Sequence, residues 1–101
     1  MKYTLYIGLN DKDTKAQETR TEDALLLVSV YCAEVFGGAT ISTARGVYTH
    51  ESGSLVTENT IRCELFTENE NAVKTAVFAF KEALNQESIG VTKEAVNLLF
   101  A

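Results

Sequence analysis

The sequence has few of the side chains from which most catalytic and metal sites are built. It contains one histidine, His50, and two cysteines, Cys32 and Cys63, which are far apart in the sequence. Structural zinc needs four closely spaced cysteine or histidine ligands, so a metal site is not expected. His50 falls in a predicted turn, which indicates an exposed side chain rather than a general base. Ser52, Ser54 and Ser88 have no second histidine to activate them, and a Ser-His-acid triad is therefore not expected.

Phosphate-binding glycine loops are missing as well. Gly37-Gly38 follows a predicted helix instead of opening one, so neither common nucleotide-phosphate motif is present. Glu58, Glu64 and Glu87 could supply paired carboxylates, but no spacing singles out a pair, and an exposed sheet face is the simpler interpretation. These absences predict a protein that is not an enzyme and that uses no cofactor.

Length and charge limit the remaining classes. The 101 residues predict a single α+β domain over 1–101, and 46% hydrophobic residues suffice for one core. A net charge of -5 opposes binding of long nucleic acid, whereas a few local cations can still hold a small anion. No apolar run is long enough for a signal peptide or a membrane span, so we expect a cytoplasmic protein with two buried thiols and no membrane partner.

Hydrophobic periodicity predicts the elements. Alternation over 3–9 indicates a strand, and a polar loop follows over 10–19. A first helix is predicted to begin near Thr19 or Thr21, with Thr19 and Glu22 at the Thr-x-x-Glu capping spacing, and to end at Phe36 before the two glycines. The wide apolar stripe of this helix predicts contacts on two sides.

The second half of the chain gives a hairpin, a helix and a last strand. Two strands, 39–49 and 55–66, are joined by a turn at 50–54. A second helix is predicted to start at Thr67, capped with Glu70, and a fourth strand to cover 87–93. The tail, 94–101, fits either a strand or a short helix.

This order of elements predicts a ferredoxin-like β-α-β-β-α-β fold, a four-stranded antiparallel sheet with two helices on one face. The other face must be polar or covered, and we expect ligand binding or association of copies there. Because a small domain buries little surface, a homo-oligomer is expected. Arg45, between small residues and near Tyr48, can grip phosphate beside an aromatic ring; a structural salt bridge is the alternative.

Several segments together resemble a known group of short phage proteins. They are Leu5-Tyr6-Ile7-Gly8-Leu9-Asn10-Asp11-Lys12-Asp13, Gly38-Ala39-Thr40-Ile41, Ala44-Arg45-Gly46-Val47-Tyr48, Glu58-Asn59-Thr60 and Asn85-Gln86-Glu87-Ser88-Ile89. The sequence resembles the Thoeris anti-defence sponge family, whose members bind immune signalling nucleotides such as cyclic ADP-ribose isomers without cleaving them. The similarity covers almost the whole chain, and none of its motifs is diagnostic alone.

The resemblance implies a phage anti-defence protein in the host cytoplasm that sequesters a small signalling nucleotide, with cyclic oligonucleotides (CBASS signals) as further ligands. It implies a dimer or an assembly of dimers with pockets between subunits. The ligand-binding residues that it implies are Asn10, Lys12, Arg45, Tyr48, Asn59, Arg62, Phe66 and Lys93.

Two other classes remain open from the sequence. The first is a small acidic oligomeric domain with a structural or protein-interaction role, which would retain a host protein and no small molecule. The second is a ferredoxin-like enzyme such as a cofactor-free oxygenase, which would turn over its bound ligand.

Overall fold

Four strands and two helices make up the protein, and the computed structural model describes residues 1–101. The elements are β1 (Lys2–Gly8), α1 (Thr21–Phe36), β2 (Thr40–Thr49), β3 (Leu55–Phe66), α2 (Glu70–Ala83) and β4 (Gly90–Glu94). The strands form one antiparallel sheet in the order β2-β3-β1-β4. The predicted ferredoxin-like α+β fold is confirmed.

The core lies between the sheet and the two helices. Alternate residues of β1 and β3 point into it, as their alternating hydrophobicity predicts; Leu5 and Cys63, for example, are cross-strand neighbours and both fully buried. The helices contribute one face each, and the ring of Phe80 packs edge-on against Tyr31 at a centroid distance of 5.0 Å. The opposite face of the sheet, called the open face below, carries Tyr6, Thr60 and Tyr48.

Both predicted helix caps are wrong in detail. The N-cap of α1 is Arg20, which makes no side-chain capping bond. α2 begins at Glu70 after Asn69, whose side-chain oxygen accepts the backbone N–H of Ala72 at 3.0 Å. In both cases the favoured Thr-x-x-Glu spacing starts too early, because it does not distinguish a helix cap from a turn just before the helix.

The stop signal at the end of α1 is confirmed. Gly37 is its C-cap, with φ 78° in the left-handed region. The stripe on α1 is only partly covered: Ala24, Val28 and Cys32 are buried, whereas Leu27 and Val35 are exposed. The second side of the stripe is therefore exposed to solvent in the single chain.

The C-terminal part differs from the prediction. β4 begins at Gly90, later than the predicted start at 87, and ends at Glu94. Residues 95–101 form neither strand nor helix, and Leu99 and Phe100 are exposed. Neither α1 nor α2 has the length and apolar character that a membrane-crossing helix requires.

The hairpin of β2 and β3 extends well beyond the rest of the sheet. Pairing between β1 and β3 ends at Gly8 and Thr60, whereas β2 and β3 stay paired out to Thr49 and Leu55. The molecule consequently measures 46 × 24 × 24 Å, with a radius of gyration of 14.1 Å. A compact chain of this length would have roughly 13 Å. The outer half of the hairpin thus lies outside the main core.

Candidate functional site

A polar cleft lies where β1 and α2 end, beside the protruding hairpin. Its volume is about 380 Å³, within the range of pockets for small ligands. The loop after β1, the hairpin and the segment between α2 and β4 each supply one wall. Only Tyr48 and Val56 among its lining residues are hydrophobic. The cleft is therefore suited to a ligand that carries several polar or charged groups.

The hairpin wall combines an aromatic ring with a carboxylate. Tyr48 and Val56 are cross-strand neighbours on the open face, and Glu58 follows on the same face because alternate residues of a strand share a side. Tyr48 is about half exposed, at 48%. An exposed ring of this kind can stack on a flat aromatic ligand group.

Glu58 occupies a recess made by two glycines. A β-carbon on Gly8 would lie 2.7 Å from Glu58 Oε2, and one on Gly46 would lie 3.4 Å from Glu58 Cγ. The carboxylate also accepts the backbone N–H of Asn10 at 3.0 Å. Sequence and structure thus fix this carboxylate against the backbone of β1, at the edge of the cleft.

The loop after β1 places two lysines on the cleft. Asp11 Oδ1 accepts the backbone N–H groups of Asp13 at 2.8 Å and of Thr14 at 3.0 Å, which closes a tight turn. Lys15 has φ 64°, and its Nζ donates to the carbonyl oxygen of Lys12 at 2.6 Å. This turn brings Lys12 and Lys15 to the same wall.

The turn also stabilises the ionised form of Asp11. The N–H of Thr14, the side-chain amide of Asn85 and the N–H of Asp13 hold the pKa of Asp11 below its ordinary value. These donors are neutral, so they favour the carboxylate by hydrogen bonding rather than by opposite charge. The loop carries its negative charge at neutral pH.

The segment after α2 forms the third wall. Gln86 is buried, and its Nε2 donates to the carbonyl oxygens of Asn10 at 2.8 Å and Leu84 at 3.1 Å. Glu87 and Ser88 follow and line the cleft with exposed side chains. The amide of Gln86 therefore joins this wall to the loop after β1.

His50 lies at the rim of the cleft. Its Nδ1 lies 3.1 Å from the hydroxyl of Ser52 and accepts the backbone N–H of Ser52 at 3.2 Å. The residue is exposed, as predicted. It contacts its own turn and no carboxylate that would orient it as a base.

Three of the predicted ligand-binding residues, Asn10, Lys12 and Tyr48, lie on the cleft. Arg45 and Asn59 line a smaller polar recess of about 230 Å³ beside it, which shares Asn10 and Glu58 with the cleft. Asn59 Nδ2 donates to Gln17 Oε1 at 2.8 Å. Arg45 and Tyr48 lie on opposite faces of β2, because an odd spacing separates them, so they do not form one joint site.

The other three predicted residues lie away from the cleft. Arg62 is in the middle of the open face, where Tyr6 and Glu64 raise its pKa above the ordinary value. Phe66 is at the far end of β3, roughly 26 Å from Glu58 by strand rise. Lys93 Nζ pairs with Glu70 Oε1 at 2.9 Å. The structure does not bring these three together with Asn10, Lys12 and Tyr48.

The sequence does not single out Lys15 or Gln86 as cleft residues, and it offers Glu58 and Glu87 only as a possible carboxylate pair, with an exposed sheet face as the simpler interpretation. Glu58 and Glu87 are separated by a helix in the sequence, so no local spacing relates them. The signal for Glu58 is the pair of strand glycines, since glycine inside a strand often marks close approach of another group.

Comparison with known proteins places this fold among solved structures. No family model matches the chain, and no curated protein does. A phage SAM lyase in complex with S-methyl-5'-thioadenosine is 25% identical, with a TM-score of 0.68, over 89% of this chain and 76% of that chain. Its apo state gives 25% identity and a TM-score of 0.62 over 89% and 75%.

A third structure shares the fold alone. The divalent ion tolerance protein CutA1 from Ehrlichia chaffeensis is 16% identical, with a TM-score of 0.56, over 97% of this chain and 84% of that chain. The expectation that the chain is not an enzyme is corrected by the lyase, because that similar structure is an enzyme. These likenesses support a small phage-type protein with this fold, but not the Thoeris sponge family.

Proposed function

We propose that this protein is a lyase that cleaves S-adenosylmethionine, or a closely related adenosyl sulfonium compound, in the cleft beside the hairpin. The observation that carries the proposal is the likeness to the phage SAM lyase, at 25% identity over 89% of this chain. A cleft that joins an exposed aromatic ring to charges of both signs supports it. S-adenosylmethionine offers an adenine ring, a sulfonium, an ammonium and a carboxylate.

The chemistry explains how such a site can work without a catalytic triad. Release of S-methyl-5'-thioadenosine breaks the bond between sulfur and Cγ of the methionine-derived chain. In one route the substrate's own carboxylate oxygen attacks Cγ, the C–S bond breaks and its electron pair stays on sulfur. The products are the thioether and homoserine lactone, and no proton is gained or lost. The protein then has to bind and orient a reactive conformer, which supplies a large part of many rate enhancements.

This route needs no nucleophile or general base from the protein. A sulfonium is already a good leaving group, and the nucleophile belongs to the substrate. The scarcity of histidine and the lack of a triad therefore do not argue against an enzyme. An acidic protein of net charge -5 also favours approach of a ligand whose net charge is +1 at neutral pH.

The walls of the cleft suit the parts of this substrate. The ring of Tyr48 stacks on adenine. Lys12 and Lys15 bind the substrate carboxylate and orient it towards Cγ. Glu58 attracts the sulfonium and ammonium groups, because it lies on the cleft as a carboxylate held by backbone. Lys12 and Lys15 are the two cations on the cleft, and both belong to the loop after β1.

Assay of purified protein with S-adenosylmethionine tests the proposal. We expect S-methyl-5'-thioadenosine to accumulate in proportion to protein, as chromatography with mass detection would measure, and a Tyr48→Ala variant to be much slower. Recovery of unchanged S-adenosylmethionine after long incubation contradicts the lyase assignment.

Binding of a signalling nucleotide is the second candidate, because two lysines beside an aromatic ring also suit phosphate and base. Its role for a phage would be anti-defence, as would removal of host S-adenosylmethionine by a lyase. Titration with cyclic ADP-ribose by calorimetry separates the candidates. Tight binding of that compound, with no turnover of S-adenosylmethionine, would favour the second one.

We further propose that copies of the chain associate. Only 17 of 101 residues are buried, and apolar side chains stay exposed on α1, on the hairpin and in the tail. They include Leu26, Leu55 and Phe100, exposed by 64%, 71% and 86%. Surfaces of this kind usually mark an interface. Native mass spectrometry should give a multiple of 11.1 kDa; a species of 11.1 kDa alone at micromolar concentration contradicts the association.

A further inference from the structure

The loop that carries the two lysines is tied to the segment after α2 by one asparagine. Asn85 Nδ2 donates to Asp11 Oδ2 and to Asp13 Oδ2, each at 2.9 Å. Its carbonyl oxygen accepts the backbone N–H of Lys12 at 3.0 Å. A single residue therefore holds three consecutive loop residues, although it does not line the cleft itself.

The backbone of Asn85 is in an unusual conformation. Its φ is 48°, in the left-handed region that side chains other than asparagine, aspartate and glycine seldom adopt. This conformation turns the carbonyl towards Lys12 while the side chain reaches Asp11 and Asp13. Residues held in such regions are often part of a functional site.

The side chain of Asn85 supplies one donor to each of these two carboxylates. The amide of Asn85 has two hydrogens, and each of the two aspartates can accept one of them. Aspartate at this position would place a third carboxylate against two others, which is unfavourable. Glycine would keep the backbone conformation and lose both side-chain bonds.

We infer that Asn85 is a positioning residue that holds Lys12 and Lys15 where the carboxylate end of the ligand binds. This rests on the proposed function, because that function places a carboxylate at the lysines. Asn85 acts through Asp11, whose turn sets the direction of the lysine loop. Loss of the tie lets the loop move, which weakens recognition of the amino-acid end and leaves recognition of the adenosine end intact.

Two ligands that differ only at the amino-acid end provide the test. S-adenosylhomocysteine carries an amino-acid group, and S-methyl-5'-thioadenosine lacks it. Calorimetry on Asn85→Asp and Asn85→Gly should show affinity for S-adenosylhomocysteine reduced about tenfold, as expected for lost bonds to charged groups. Affinity for S-methyl-5'-thioadenosine should change by less than about twofold. Equal losses for both ligands, or no loss for either, overturn the inference.

Matched controls separate positioning from folding and from the lyase proposal. Asn97→Asp makes the same charge change at an exposed tail position, and it should bind both ligands as the parent does. If the parent protein binds neither ligand, the proposed function fails. The tie itself is then judged by amide hydrogen exchange at Asp13 and Thr14, which both Asn85 variants should accelerate several-fold. Unchanged exchange there overturns the tie.

Discussion

The two ends of β3 differ in how their polar groups are held. At the cleft end, Glu58 and the lysine loop are positioned by backbone N–H groups, side-chain amides and close contacts with glycine. At the far end, Lys93 pairs with Glu70, and Phe66 lies beside apolar residues of the tail. Neutral hydrogen-bond donors hold a charged side chain in place without neutralising it, whereas an ion pair neutralises the charges of both side chains. The first arrangement leaves charges available to a ligand.

The largest expected effect comes from two glutamates on one face of β3. Glu58→Gln should reduce kcat/KM for S-adenosylmethionine at least about 100-fold, because it removes the fixed carboxylate on the cleft. Glu64→Gln is the matched control, since Glu64 pairs with Arg62 and Lys2 away from the cleft. Initial rates of thioether release measure both. Equal losses in the two variants would remove the distinction between the ends.

A pair of glycines gives the next effect. Gly8→Ala should slow turnover about tenfold, because its β-carbon would displace the Glu58 carboxylate. In Gly90→Ala the new carbon would lie 3.7 Å from Tyr6 Cβ, an ordinary contact, and turnover should be unaffected. The same rate assay applies. Full activity of Gly8→Ala would show that the position of Glu58 is unimportant.

One lysine near each end of β3 allows the two ends to be compared by their effect on ligand affinity. Lys12→Ala should raise KM for S-adenosylmethionine about tenfold, because it removes a cation on the cleft. Lys93→Ala should leave KM within about twofold, because Lys93 contacts Glu70 and the ring of Tyr3 instead. Steady-state kinetics measure both, and a higher KM in Lys93→Ala would place the ligand at the far end.

The smallest effect concerns salt and acid. Neutral donors, first the N–H of Thr14, lower the pKa of Asp11, whereas Lys93 lowers that of Glu70. Both groups therefore stabilise the fold above their ordinary pKa of about 4, and the stabilisation is lost as pH falls through the lowered values. Salt near 1 M should move the pKa of Glu70 back towards normal and leave that of Asp11 almost unchanged. Carboxyl NMR titration measures both; equal shifts would contradict the proposed difference.

Much of the fold follows from local patterns. Alternation in β1 and β3, the apolar face of α2 and the glycine after α1 predict strands, helix and helix end correctly. The start of α1 at Thr21 agrees with one of the two predicted positions, whereas α2 starts at Glu70 instead of Thr67, because the same hydrogen-bonding residues serve turns as well as caps. The start of β4 is misplaced because Ile89 packs against the core from outside the strand.

The cleft is harder to predict, because its walls come from three distant segments. Among the predicted residues, Asn10, Lys12 and Tyr48 line the cleft. Arg62, Phe66 and Lys93 do not, because side chains of one sheet can lie at different positions along its length. The odd spacing of Arg45 and Tyr48 in β2 already places them on opposite faces of the sheet. The cleft walls depend on loop bonds such as that of Gln86 to Asn10, which are not visible in residue spacing.

The overhanging hairpin has a mechanical consequence for the cleft. One wall is a two-stranded ribbon whose tip has no helix behind it, while the other two walls are anchored at the ends of β1 and α2. Such a ribbon can fray locally at a small fraction of the cost of global unfolding. We therefore expect the ligand to enter and the product to leave when the hairpin bends. This motion carries Tyr48 and Val56 away from the other two walls while the domain stays folded.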